Sequence, residues 1–119
     1  MRIAGEKVTL RGLDAETDTD MLIQLRRHDE VWLQLGSLCL PGHLTHEAQA
    51  AWIRKTNQDP SKMYLAICED PRTFASGLFR IDEIDLVNRS ARVGADILPA
   101  CQRRGLATNA YKAVLKALF

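Results

Sequence analysis

No stretch of this sequence stays apolar for anything near the roughly 20 residues that a membrane-spanning helix needs. The opening Met1-Arg-Ile-Ala-Gly-Glu-Lys7 also lacks the apolar run of a secretory signal, so no targeting segment is expected there. Cysteine is scarce. Cys39, Cys68 and Cys101 are odd in number and far apart, which argues against a disulfide framework and fits a reducing cytoplasm. Neither sign of charge dominates: 16 Lys and Arg against 15 Asp and Glu leave a net charge of +1. A strong pull toward nucleic acid or a membrane surface is therefore not expected. Histidine numbers three, and His43-x-x-His46 has no fixed carboxylate or cysteine beside it, so no metal is expected. No Ser-His-Asp or Cys-His constellation, internal repeat, low-complexity tract or interdomain linker is present.

What is present suits one soluble globular domain. The 119 residues are an ordinary domain length, and 46% hydrophobic with 26% charged residues can both fill a core and cover it. Val8 to Leu13 reads as a strand, and Thr17 or Asp18 as the cap of a helix whose stripe is Met21, Leu22 and Leu25. A second short helix is expected over 29–35, then a loop over 37–44 around Pro41-Gly42. Thr45 caps a third helix, with Glu47 in its first turn and Ala48, Ala51 and Trp52 on its buried side. Trp32 and Trp52 read as core residues or as walls of a cleft. Met63 to Glu69 is a dense apolar strand and Asp70-Pro-Arg-Thr73 a turn. Phe74 to Leu86 is a long strand with Gly77 marking a bulge, and the chain turns through Val87-Asn-Arg-Ser90 into a strand from Ser90 to Leu98. Short turns make these three strands antiparallel neighbours.

The segment that carries most chemistry is Gln102-Arg103-Arg104-Gly105-Leu106-Ala107. It joins the Ser90–Leu98 strand, in which Ala91, Val93, Ala95 and Ile97 share one face, to a helix running from Ala107 to Phe119. A strand-to-helix junction presents unpaired backbone N–H groups and the positive end of a helix dipole, which together suit an anion. Gly105 permits positive φ and close approach of a ligand, Ala107 is small, Arg103 and Arg104 bring charge, and Thr108 brings a hydroxyl. The loop is neither a Walker loop, lacking Gly-Lys-Ser/Thr, nor a dinucleotide fingerprint, lacking the second Gly.

With its surroundings, this segment resembles motif A of the GNAT N-acetyltransferases, whose loop reads Gln/Arg-x-x-Gly-x-Gly/Ala. Gln102, Gly105 and Ala107 fill those positions. Upstream, Ala75-Ser-Gly77, Ile81-Asp-Glu-Ile-Asp85, Asn88-Arg-Ser-Ala91 and Val93-Gly94 are similar to the strands before that loop. Val8-Thr-Leu-Arg-Gly-Leu13 is similar to the first strand, and Leu106-Ala-Thr108 with Ala117-Leu-Phe119 to the helix after the loop. The nearest branch is that of the ribosomal-protein alanine acetyltransferases and the polyamine acetyltransferases.

The resemblance implies an α/β fold with a GNAT-like mixed sheet and helices on both faces, in the order strand, helices, three antiparallel strands, helix. Residues 1–119 would form a single, C-terminally truncated domain, lacking a further strand, a helix with a thiolate-proton donor, and a closing hairpin. It implies transfer of an acetyl group from acetyl-CoA to a primary amine: a protein N-terminus, a polyamine or a small amine. Carried over by position, Ile97, with its neighbours Asp96 and Leu98, would pair with the pantetheine arm, as far as Pro99, which cannot donate. Gln102 belongs to the loop, and Arg103, Arg104, Gly105, Leu106, Ala107 and Thr108 would offer N–H groups to the pyrophosphate. His28, Glu30 and Trp32 would lie toward the acceptor. In this branch an acid often follows the Ala of Asn-Arg-Ser-Ala, but here that position is Arg92. Asp82, Glu83, Asp85 and Asp96 are the substitutes as general base, with Asp96 preferred because it precedes the loop; the plainer reading of all four is a solvated face or ion pair. The open sheet edge left by the truncation implies a homodimer or a partner chain covering it. An alternative is a non-catalytic acyl-CoA-binding or assembly module that pairs through that edge.

Overall fold

The computed structural model describes residues 2–28, 45–69, 74–102 and 105–118. The expected helix at 29–35, the loop at 37–44 and the turn at 70–73 lie outside the described residues, as do Glu30, Trp32, Cys39 and His43. The elements are β1 (Arg2–Ala4), β2 (Val8–Gly12), α1 (Thr19–His28), α2 (His46–Gln58), β3 (Met63–Glu69), β4 (Ala75–Asp85), β5 (Ser90–Ile97), a 3-10 turn (Pro99–Cys101) and α3 (Leu106–Leu118). The strands form one sheet in the order β1-β2-β3-β4-β5, with every described pairing antiparallel. β1 was not expected: three residues are too few for a period of two to show.

Alternation along the strands splits the core in two. Leu10, Leu65, Ile67, Phe79 and Ile81 face α3 and pack with Leu106, Ala110 and Val114. Ala66, Cys68 and Leu78 face the other way and pack with Met21, Leu22 and Ile53 of α1 and α2. Full burial of each such aliphatic or aromatic side chain contributes about 1.5–3 kcal/mol, so both faces hold the sheet between helices. Phe79 and Tyr111 meet edge-on at 5.1 Å between ring centroids, which fixes α3 over the centre of the sheet.

Two bulges shape β4. Ile67 pairs with Gly77 and Cys68 with Ala75, so Ser76 is the extra residue next to the glycine. A side chain at Gly77 would overlap the Asp96 carbonyl oxygen, and the glycine lets β4 and β5 close up there. The second bulge lies between Asp82 and Asp85, where Glu83 takes a φ of 50°.

The caps follow the sequence in one case and depart from it in another. Thr45 Oγ1 accepts the Ala48 N–H at 3.1 Å and starts α2, as its residue type predicts. His46 opens that helix, with its ring nitrogens 3.0 Å from the Thr19 hydroxyl and 3.0 Å from Asp20 Oδ1, tying α2 to α1. Asp18 stands ahead of α1 and its carbonyl accepts the Leu22 N–H, but its carboxylate turns back. It takes two bonds of 2.8 Å from the Arg11 guanidinium and one of 2.7 Å from the Asp14 N–H. The Asp18 side chain is fully buried, and this pairing holds the Arg11 guanidinium even more firmly protonated than usual. Replacing Asp18 by Ala takes the carboxylate from the part-buried Arg11 guanidinium and the Asp14 N–H, so Asp18→Ala is expected to lower the unfolding free energy by about 1.5–3 kcal/mol in urea denaturation. A loss under 1 kcal/mol would show that the pair is not structural.

Candidate functional site

β5 ends where the sheet geometry ends it. Leu98 donates its N–H to the Ser76 carbonyl at 2.9 Å, and Pro99 then begins a 3-10 turn closed by the Cys101 N–H on the Leu98 carbonyl at 2.8 Å. This turn was not expected from the sequence; proline fits its first position because that N–H has no acceptor there. Gln102 reaches back and donates from Nε2 to the Ile97 carbonyl at 3.1 Å, pinning the loop against the strand it leaves. Gly105 has a φ of 72°, the left-handed conformation that glycine adopts without strain.

The first helical bond of α3 runs from the Asn109 N–H to the Gly105 carbonyl at 3.0 Å. The N–H groups of Leu106, Ala107 and Thr108 therefore precede the ladder at the positive end of the helix. A cavity of about 220 Å3 opens at this point, lined by Ile97, Cys101, Gln102, Gly105, Leu106, Ala107 and Thr108. The structure thus brings six of the sequence-selected residues to one concavity. Leu98 is not among its lining and packs instead against both cores. Arg103 and Arg104 lie outside the described residues. Cys101 is a lining residue that motif reasoning did not select, and its near-complete burial makes it part of the core as well. A positive-φ glycine followed by three N–H groups at a helix start fits a pyrophosphate, so the residues present suit the coenzyme A moiety of an acyl donor. A broader depression of about 730 Å3 lies elsewhere, lined by residues including Arg11, Leu13, Thr17 and Phe74, and there Asp18 holds the guanidinium.

The opposite face of the sheet carries the acids. Register places Asp96 opposite Leu78 and Arg92 opposite Asp82, so Asp82, Asp96, Arg80 and Tyr64 share the α1–α2 face. Arg80 Nε lies 3.0 Å from Asp96 Oδ2, with both side chains about 40% exposed. Gly94 makes room for this pair: a Cβ there would come within 2.6 Å of Arg80 Nη2. Tyr64 donates its hydroxyl to Asp82 Oδ2 at 3.2 Å and packs on Trp52 at 5.6 Å, while the Arg26 guanidinium carbon sits 4.4 Å from the centre of the Trp52 ring. Glu83 and Asp85 belong to the hairpin end. Glu83 is 3.4 Å from Arg92 in an exposed pair, and Asp85 accepts the N–H groups of Val87 and Asn88. Those bonds hold the Asp85 carboxyl below its ordinary range.

Among the described residues no group of three His, Cys, Asp or Glu side chains is arranged to hold a metal. No described helix is long and apolar enough to cross a membrane.

Burial first, and then the Asp82 carboxylate, push the Tyr64 hydroxyl above its ordinary value of 10.0. The folded state therefore holds this proton more tightly than the unfolded chain. Its contribution to stability is complete below pH 10 and is lost as pH rises through the folded value. A phenolate absorbance titration is expected to contain a component with a midpoint above 10.0 that disappears in Tyr64→Phe and moves down in Asp82→Asn. A late component that persists in Tyr64→Phe would refute the assignment.

The family model described as an acetyltransferase (GNAT) domain matches residues 7–119. A ribosomal-protein alpha-N-acetyltransferase, RimL, solved in complex with coenzyme A, superposes with a TM-score of 0.76 at 17% identity, over 98% of this chain and 67% of that one. A putative ribosomal-protein-serine acetyltransferase from Vibrio cholerae gives 0.76 at 18% identity, over 100% of this chain and 67% of its own. A spermidine N-acetyltransferase SpeG chimera, from Vibrio cholerae and hSSAT, gives 0.73 at 19% identity, over 96% and 64%. At such identities the likeness is one of fold. The chain spans about two thirds of the length of these structures. No curated protein matches the sequence.

Proposed function

Because this chain belongs to the acetyltransferase (GNAT) domain family, we propose that it binds acetyl-CoA at the start of α3 and directs its acetyl group to a primary amine. The observation that carries this reading is the cavity lined by Gly105 to Thr108, at the loop that resembles the family's motif A. Acetyl-CoA supplies the acetyl group already activated as a thioester. The chain supplies placement: the N–H groups of Leu106, Ala107 and Thr108 hold the pyrophosphate, with Gln102 bracing the loop and Arg103 and Arg104 adding charge. The outer edge of β5 around Ile97 and Leu98 guides the arm of the donor.

An amine attacks only when neutral, so a proton must leave it. Asp96 is assigned to accept that proton, with Arg80 Nε 3.0 Å away as its ion-pair partner. Asp82, on the same face and held by Tyr64, is the neighbouring acid. The structural neighbours named for ribosomal-protein and spermidine acetylation support a protein N-terminus, a polyamine or a small amine as the acceptor. The reading treats residues 1–119 as belonging to a single acetyltransferase domain acting in the cytoplasm, without nucleic-acid or membrane partners. β5 is the last strand of the described sheet and residues 90–93 on it are exposed, which supports a homodimer or a partner chain along that edge.

Arg92, at the position where an acid was expected, favours one other reading: an acyl-CoA-binding or assembly module that pairs through its open edge without turnover. Calorimetric titration with acetyl-CoA, followed by thiol release on a panel containing spermidine and a serine-terminated peptide, separates the two. Binding in the micromolar range (order of magnitude, within ordinary cofactor affinities) with amine-dependent thiol release supports the transferase, and Asp96→Asn is then expected to slow release by about 100-fold. Binding without release supports the module. Absence of binding rejects both.

A further inference from the structure

The cradle receives a contribution from the opposite end of the chain. Lys7 lies in the tight turn between β1 and β2, and its ammonium nitrogen is 3.5 Å from where a Cβ on Gly105 would sit. That places a cation beside the glycine that opens the α3 cavity. We propose that Lys7 is a pyrophosphate-binding residue of the coenzyme A site, an inference that rests on the acetyl-CoA reading above.

The placement rests on the backbone as well as on a flexible side chain. Asn109, buried in the first turn of α3, accepts the Lys7 N–H at 2.8 Å and the Val8 N–H at 3.2 Å through Oδ1, across 102 and 101 residues of sequence. The turn itself is closed by the Gly5 N–H on the Val8 carbonyl at 2.7 Å. A side chain at Gly5 would approach Asn109 Oδ1 to 2.7 Å and Ala113 Cβ to 3.1 Å, so the turn packs this closely on α3 only with glycine there. The Lys7 backbone is thus held against the turn of helix whose N–H groups face the cavity.

The chemistry agrees. N–H groups at a helix start offer only partial charge, and a doubly charged pyrophosphate gains from a full cation within hydrogen-bonding reach. Without a side chain, Gly105 leaves open the space that its Cβ would fill, 3.5 Å from the Lys7 ammonium. Lys7 is exposed, so its ammonium can adjust to a bound phosphate without a burial cost.

Calorimetry on the full chain with coenzyme A and with 3′-dephospho-CoA tests this, using Lys7→Gln and Lys7→Arg. Lys7→Gln is expected to weaken coenzyme A binding about tenfold, with an unchanged melting temperature, and Lys7→Arg to recover most of the affinity. The same tenfold factor is expected with 3′-dephospho-CoA, which keeps the pyrophosphate. Lys7→Gln binding coenzyme A as well as the unsubstituted chain would overturn the assignment. So would a factor that vanishes with 3′-dephospho-CoA, since the ammonium would then serve the 3′-phosphate. Failure of the unsubstituted chain to bind coenzyme A would reject the acetyl-CoA reading itself, and this inference with it.

Discussion

The docking of α3 across one face of the sheet is the constraint on which the site depends. An anion cradle at a helix start works only if that helix is held still at a fixed distance from the strand before it. Here the hold is both apolar and polar. Leu106, Ala110 and Val114 bury against Val8, Leu10 and Phe79, and Asn109 takes two N–H groups from the β1–β2 turn. The apolar contacts supply most of the energy, yet they permit sliding. The buried carboxamide allows only one arrangement, because a half-satisfied acceptor in that position would cost about 1–3 kcal/mol.

The sheet divides the work. Its α3 face presents the concavity at Gly105 to Thr108, and its α1–α2 face presents Tyr64, Arg80, Asp82 and Asp96. Side chains alternate across a strand, so β4 and β5 serve both faces with interleaved residues. Ile97 lines the cavity while Asp96, one residue earlier, pairs with Arg80 behind the sheet. In the proposed reaction, a donor on one face and an acceptor on the other would meet at the β5 edge. The edge stops just past Leu98, whose N–H still bonds the Ser76 carbonyl, because Pro99 opens the 3-10 turn that leads the chain out of the sheet.

Much of this is legible in the sequence. The strands from Val8, Met63, Ala75 and Ser90 show in their apolar runs and alternation, and the Thr45 cap in its residue type. The loop from Gln102 to Ala107 showed itself by a glycine between a strand pattern and a helix pattern. The expected general base was the weakest part. Among the four acids on β4 and β5 the sequence favours Asp96, which precedes the loop, while pairing register is what separates Asp82 as well as Asp96 from the hairpin residues Glu83 and Asp85. Asp18 was one of two cap candidates with Thr17, but its carboxylate serves the Arg11 guanidinium and the Asp14 N–H, which fold back beside it.

The amino-acid sequence by itself determined the local elements, the faces they bury and the family to which the loop belongs, since these depend on periodicity and on residues a few positions apart. Tertiary structure alone decided which acid meets which base across β4 and β5, where β5 ends, and that Lys7 stands beside Gly105. Those facts arise from contacts between residues tens to a hundred positions apart, for which sequence spacing carries no distance. They exist only once the sheet has closed and α3 has packed upon it.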